Sequence, residues 1–288
     1  FVLRARATNE DPLEIGFKQY AFFTNSFRSE MVKKSSITTR ALTSGTAIKK
    51  MLFTFPKSKD EQKLIGNFFG NIDNLITEHQ QKHAKLKSLK QAMLDKMFPK
   101  QGKLVPEIRF KGFEGDWQPF AFKDIADLKR GLTYSPTNVT NNSGVKVLRS
   151  SNINEDRFVQ KNDDVFVREE AINIGFAKEH DILITAANGS SRLVGKHALV
   201  SKLNCKAVHG GFMLLASAKH PFFLNAYMDT EWYNKFVNQY TAGGGGSIGN
   251  LNKVDLEEQL ILVPSVDEQI VIGNYFKNLD NLIANHET

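Results

Sequence analysis

A stretch of 20 residues occurs twice in this chain, and that repetition restricts the folds open to it more than any single motif does. DEQKLIGNFFGNIDNLITEH at 60–79 and DEQIVIGNYFKNLDNLIANH at 267–286 lie 207 positions apart and agree at 13 of 20. Upstream the likeness is looser. FPKSKDEQ at 55–62 answers VPSVDEQ at 263–269, SGTAI at 44–48 is similar to GGSIGNL at 245–251, and the opening FVLRA is similar to FMLLA at 212–216. The chain therefore reads as the tail of one repeat, a complete second copy, and the beginning of a final helix. It starts at Phe1 without methionine and stops at Thr288 inside a helical pattern, so both ends are expected to be cut.

The repeated element has the spacing of a coiled-coil helix. Ile65, Phe68, Ile72, Leu75, His79, Lys82, Leu86, Leu89 and Met93 fall at alternating intervals of three and four, and Ile272, Tyr275, Leu279, Leu282 and His286 do the same. Pro56 and Pro264 precede the two helices, and Asp60-Glu61 and Asp267-Glu268 place negative charge in the first turn, where the helix dipole favours it. The first helix is expected from Lys59 to Met97, ending before Pro99 and Gly102, which gives a rod of roughly 55 to 60 Å. Two matching seams predict antiparallel pairing of Ile65, Phe68, Ile72 and Leu75 with Ile272, Tyr275, Leu279 and Leu282. His79 and Lys82 interrupt the seam as residues that fix register.

Between the helices the pattern changes. Short apolar runs at 145–149, 164–167, 181–185, 198–200 and 211–215 read as strands, and 122–126 and 222–238 as helices. The fold class is therefore α+β, mixed strands and short helices joined to long antiparallel coiled-coil helices. The loops carry groups suited to nucleic acid: Lys129, Arg130 and Tyr134 in one, Arg149, Ser151 and Asn152 in a second, Asn188, Ser190, Ser191, Arg192 and Lys196 in a third, with His209 and Tyr240 beyond. Arg and Asn can bind guanine and adenine edges through two hydrogen bonds, while Ser, Lys and backbone amides hold phosphates. The same residues also populate ordinary solvated loops. Gly243–Gly246 permits either a close approach to a ligand or a slack connection.

Other classes are disfavoured. The longest apolar run, 212–216, is far shorter than the ~20 residues of a membrane span. A lone cysteine, Cys205, precludes an intrachain disulfide and suits a reducing, cytoplasmic compartment. The net charge is +7, but residues 1–106 carry 19 Lys and Arg against 9 Asp and Glu, while 107–264 balance at 18 against 18, so charge alone locates no DNA footprint. No amine-methyltransferase motif or glycine-rich cofactor loop occurs. GSSRLVGKH at 189–197 has five residues where a phosphate-binding loop has four, and His in place of Ser or Thr. His79 and His83 stand one turn apart without an evident third metal ligand. Neither a catalytic set nor a metal site is expected.

With the repeat, the heptads and the loop-rich domain together, the chain resembles the specificity subunits of type I restriction-modification enzymes over nearly its whole length. The stretch KSLKQAMLDKMFPKQGKLVPEIRFKGFEGDWQPFAFKDIADLKRG at 87–131 is similar to their central conserved region passing into a second target-recognition domain. VLRSSNI at 147–153, HDILIT at 180–185 and NGSSRLVGK at 188–196 are also similar to the family. The resemblance implies the tail of a first recognition domain at 1–56, a central helix at 57–98, a linker at 99–106, a second recognition domain at 107–264 and the start of a distal helix at 265–288. It further implies a non-catalytic subunit that reads one half of a bipartite site in double-stranded DNA. Two modification subunits would supply S-adenosylmethionine, and restriction subunits ATP and Mg. A half-length chain could restore the missing symmetry by pairing with a second copy. The competing reading is a coiled-coil scaffold or inhibitor that binds modification subunits without reading DNA.

Overall fold

A computed structural model describes residues 6–7, 10–37, 41–141, 143–241 and 250–287. The chain forms two compact units, Phe1–Ala84 with His286–Thr288, and Lys85–Asn285.

In the first unit, α1 (Ile15–Ala21) and α2 (Asn25–Lys33) are followed by a two-strand ribbon, β1 (Ser36–Ile37) and β2 (Ala41–Leu42), by α3 (Gly45–Lys49), and by the first part of α4 (Lys59–Met97). Each short helix begins where a side chain satisfies an otherwise orphaned amide. Glu14 accepts from Gly16 N, Thr24 from Phe27 N and Ser44 from Ala47 N. Gln62 explains why the motif at the start of α4 ends in glutamine. Its buried amide donates to Pro12 O at 3.0 Å and Pro56 O at 2.8 Å and accepts from Glu14 N at 2.7 Å, fastening the helix to the segment that leads into it. Four residues on, a Cβ at Gly66 would stand 2.7 Å from the Gly16 carbonyl carbon, so only glycine lets α1 lie against α4. Leu13, Phe17 and Ala21 form the small core with Phe53, Phe55 and Ile65.

The second unit opens with the last turns of α4 and a segment leading to β3 (Gln118–Ala121), α5 (Phe122–Ile125) and β4 (Ala126–Arg130). There follow β5 (Val139–Thr140), β6 (Val145–Leu148), β7 (Ile153–Asn154), β8 (Arg157–Phe158), β9 (Val165–Val167), β10 (Ile182–Thr185), β11 (His197–Leu199), β12 (Ala207–His209) and β13 (Met213–Ala218). The unit closes with α6 (Pro221–Met228), α7 (Glu231–Thr241), α8 (Lys253–Glu257), β14 (Leu260–Val263) and α9 (Val266–Asn285). One sheet is ordered β11-β10-β13-β4 and is antiparallel throughout; a second is ordered β12-β6-β9-β5, with β12 parallel to β6. β14 pairs with β3, and β7 with β8. This is the expected α+β architecture with long paired helices.

The seam between α4 and α9 is built late in α4. Leu94, Met97 and Phe98 are buried with Ile272, Phe276 and Leu279, and Leu86, Met93 and Tyr275 pack against them. The quartet Ile65, Phe68, Ile72 and Leu75 lies in the first unit. Ile65 packs on α1, Ile72 is half-buried, and Phe68 and Leu75 are 62% and 55% exposed. On α9, Ile272 and Leu279 are buried, but Leu282 is 46% exposed. Phe98 stacks on Tyr227 at 4.7 Å and meets Trp117, Phe223 and Phe276 at 6.0 Å or less. Burial of each such ring contributes about 1.5 to 3 kcal/mol.

The devices of the first unit return here. Gln269 donates to Pro264 O at 3.0 Å, and a Cβ at Gly273 would lie 2.7 Å from Phe223 N. α6, α7, α8 and α9 thus answer to α1, α2, α3 and the beginning of α4. Ser44 and Asn252 cap the corresponding helices, which corrects the register read from letters: SGTAI answers to NKVDL at 252–256, not to GGSIGNL. The likeness of FVLRA to FMLLA falls outside the described residues. The helix expected over 222–238 is two helices, because Thr230 Oγ1 and Trp232 Nε1 both donate to Tyr227 O, at 2.7 and 2.8 Å, and turn the chain there.

Candidate nucleic-acid interface

Topology brings four loops to one end of the two sheets. β4 and β10 both run antiparallel to β13, so their C-terminal ends, at Arg130 and Thr185, stand beside its first residues. β6 and β12 run parallel and finish together at Leu148 and His209. β12 then passes into β13 through a turn closed by Met213 N donating to Gly210 O at 2.8 Å. Main-chain bonds tie the cluster together: Leu132 N to His209 O at 2.7 Å, Gly210 N to Leu148 O at 2.9 Å, and Ala186 N and Ala187 N to Phe212 O at 2.9 and 3.0 Å. Gly131 lies so close to the Gly210 carbonyl that any side chain there would collide with it. Asn188 Nδ2 donates to Ser150 Oγ at 3.0 Å and its Oδ1 accepts from Ser190 N at 2.9 Å, linking the second and third loops.

Of the residues expected to contact DNA, several meet at this end. Arg130, Ser190 and Ser191 are exposed, and Asn188 is half-buried. Arg149 Nε and Ser151 Oγ are shielded from solvent without a hydrogen-bond partner, and an Arg149 terminal nitrogen reaches Asp163 O only at 3.5 Å, so both retain unused polar capacity. Lys129 turns away, its Nζ 3.2 Å from Asp127 and 3.5 Å from Ser217 Oγ. Tyr134 packs against the core formed by Leu132, Val145 and Val147.

Two expectations are corrected. Asn152 is fully buried, with Oδ1 accepting from Arg149 N at 2.9 Å and Nδ2 donating to Val159 O and Asp164 Oδ1 at 3.0 and 2.7 Å, so its amide shapes the loop from inside and presents no edge to a base. His209 is equally buried, its Nε2 3.1 Å from Lys129 O; burial pushes its pKa below the ordinary value, which keeps the ring neutral. The side chain of Tyr240 and the run Gly243–Gly246 lie outside the described residues, although Leu251 N donates to Ala186 O at 2.8 Å just after that run. Phe212, placed in a strand by its apolar neighbours, is 74% exposed on the turn. Two glycines before an aromatic were the available signal.

Arg192 and Lys196 belong to an adjoining groove of about 1100 Å³ between the β11 side of the first sheet and the helices, where Lys87 of α4 and Lys277 of α9 also project. In this groove Lys90 Nζ bridges Asp229 at 3.0 Å and Asp280 at 2.8 Å, and His197 Nε2 lies 3.4 Å from the other oxygen of Asp229. Burial alone would lower the His197 pKa, but Asp229 outweighs it and holds the value above 6.5. Burial raises Asp280, whereas at Asp229 the pull of His197 and Lys90 overcomes burial and leaves it lowered. In the first unit, His79 Nδ1 lies 3.1 Å from His286 Nδ1; among the described residues no three His, Cys, Asp or Glu side chains gather to hold a metal. No helix among them is long and apolar enough to cross a membrane.

The family model of the type I restriction modification DNA specificity domain matches residues 114–288. Among solved structures, the HsdS subunit from Thermoanaerobacter tengcongensis is similar over 94% of this chain and 63% of its own, at 14% identity and a TM-score of 0.53. The type I restriction-modification S subunit from M. genitalium is similar over 96% and 68%, at 14% identity and a TM-score of 0.60. A chain from a structure concerned with complex assembly and conformational transition of the type I R-M system is similar over 79% and 53%, at 14% identity and a TM-score of 0.52. No curated protein matches the chain. The chain belongs to the type I restriction-modification DNA specificity family, whose members are non-catalytic. It spans about two thirds or less of the length of these structural relatives.

Proposed function

We propose that this chain reads DNA sequence through the loop cluster at the ends of β4, β6, β10 and β12, and thereby directs methylation and restriction by partner subunits to a bipartite site. The observation that carries the reading is the convergence of Arg130, Arg149, Asn188 and Ser190 on one rigid surface in a chain of the specificity family. Arginine and amide side chains there supply base-edge contacts, and the Lys87, Arg192, Lys196 and Lys277 rim supplies phosphate contacts. S-adenosylmethionine, ATP and Mg belong to the modification and restriction subunits in this family. The paired α4 and α9 supply the surface for two modification subunits, and a cytoplasmic location goes with that assembly.

The test is to combine the chain with a type I modification subunit and map methylated positions by sequencing. Methylation confined to one recurrent sequence is expected. Stable association of the subunits with methylation that follows no sequence would replace this reading with that of a scaffold or inhibitor. A second copy of the chain supplying the other half-site would give a palindromic bipartite target, whereas a single copy would select one half-site alone.

A further inference from the structure

We propose that Phe212 contacts the 5-methyl group of a thymine in the half-site this chain reads; the assignment rests on the DNA-reading function above. Phe212 occupies the turn between β12 and β13 and is 74% exposed. Its position is fixed by the backbone: its carbonyl accepts from both Ala186 N and Ala187 N, and the Met213 N to Gly210 O bond closes the turn around it. The ring is therefore presented by a rigid support. Its surroundings are polar. A Cβ on Gly210 would lie 3.8 Å from the Arg149 Cγ and one on Gly211 3.2 Å from Thr133 Oγ1, and the loop that binds the Phe212 carbonyl continues into Asn188 and Ser190. A large exposed apolar group on a turn flanked by loops that carry arginine and amide side chains suits the floor of the major groove, where hydrogen-bonding edges alternate with a single apolar feature, the thymine methyl.

The test uses the complex of the chain with its modification subunit and the target that methylation sequencing identifies. Each thymine of the half-site is replaced in turn by uracil, which removes only the methyl group, and binding is compared for the wild type, Phe212→Ala and Phe212→Leu. One replacement should weaken wild-type binding roughly fourfold, the transfer of about one methyl group, and leave Phe212→Ala unchanged, with Phe212→Leu between them. Equal sensitivity of wild type and Phe212→Ala to every replacement, or a half-site without thymine, overturns the contact while the DNA-reading function stands. So does 2-aminopurine fluorescence that rises on wild-type binding and not with Phe212→Ala, because the ring then acts as a wedge between bases. A wild-type complex that selects no sequence overturns both.

Discussion

Arg109 and Glu268, 159 residues apart in the chain, meet through two hydrogen bonds of 2.7 Å, while the remaining guanidinium donors reach the carbonyls of Gly115 and Glu114. The carboxylate is inaccessible to solvent. The pair ties the segment after α4 to the first turn of α9, and it accounts for an arginine in PEIRF and a glutamate in DEQ.

Removing the cation alone strands a buried charge. Arg109→Ala is expected to cost about 3 to 5 kcal/mol in urea unfolding, whereas Arg109→Met combined with Glu268→Leu should cost far less. Equal losses for the single and double variants would show that packing, not the charge pair, sets the stability there.

Gly66→Ala and Gly273→Ala each place a methyl group against the backbone of a facing helix. Each should destabilise its own unit by about 1 to 3 kcal/mol, read by hydrogen exchange as faster opening of α1 in the first variant and of α6 in the second. Unchanged protection in both would contradict the close approach.

The His197 pKa is raised above 6.5, so the stability drawn from its charged form is complete below pH 6.5 and is lost as pH rises through the folded value. Asp229, lowered, contributes stability above its ordinary 3.8 that disappears on acidification. The unfolding free energy of His197→Gln should accordingly fall less than that of the wild type between about pH 6 and 8. A wild-type curve parallel to the variant's across that window would rule out a charged His197.

Arg149→Ala should weaken or relax recognition of one half-site by about 1 to 3 kcal/mol with little change in melting, and Arg192→Ala should act mainly on affinity. Asn152→Ala should do the reverse, lowering stability by about 1 to 3 kcal/mol as buried partners go unsatisfied. Methylation mapping and thermal melting on the same three variants separate these roles.

Much of the architecture was legible from periodicity. The limits of α4 follow from heptad spacing and from Pro99, and the paired helices from the duplicated segment. The part played by the end of α4 was not, because a heptad states which face is apolar and not which partner covers it: within the second unit Leu94, Met97 and Phe98 carry the contact with α9. The upstream alignment failed for a related reason, since a cap needs a side-chain oxygen that Ser44 and Asn252 supply equally. In the loops, composition could not separate Arg149, which keeps free donors, from Asn152, whose amide is fully engaged. That distinction depends on Val159 and Asp164, which sequence does not place beside it.

β13 runs from the exposed turn at Phe212 to the linker that enters α6, so the surface proposed to meet DNA and the stem that carries it sit at opposite ends of one strand. The ring contacts of Phe98 and the Arg109 and Glu268 pair involve no residue of that turn. On the proposed reading, an exchange of the exposed Phe212 side chain would alter what is recognised while the handle keeps its own contacts.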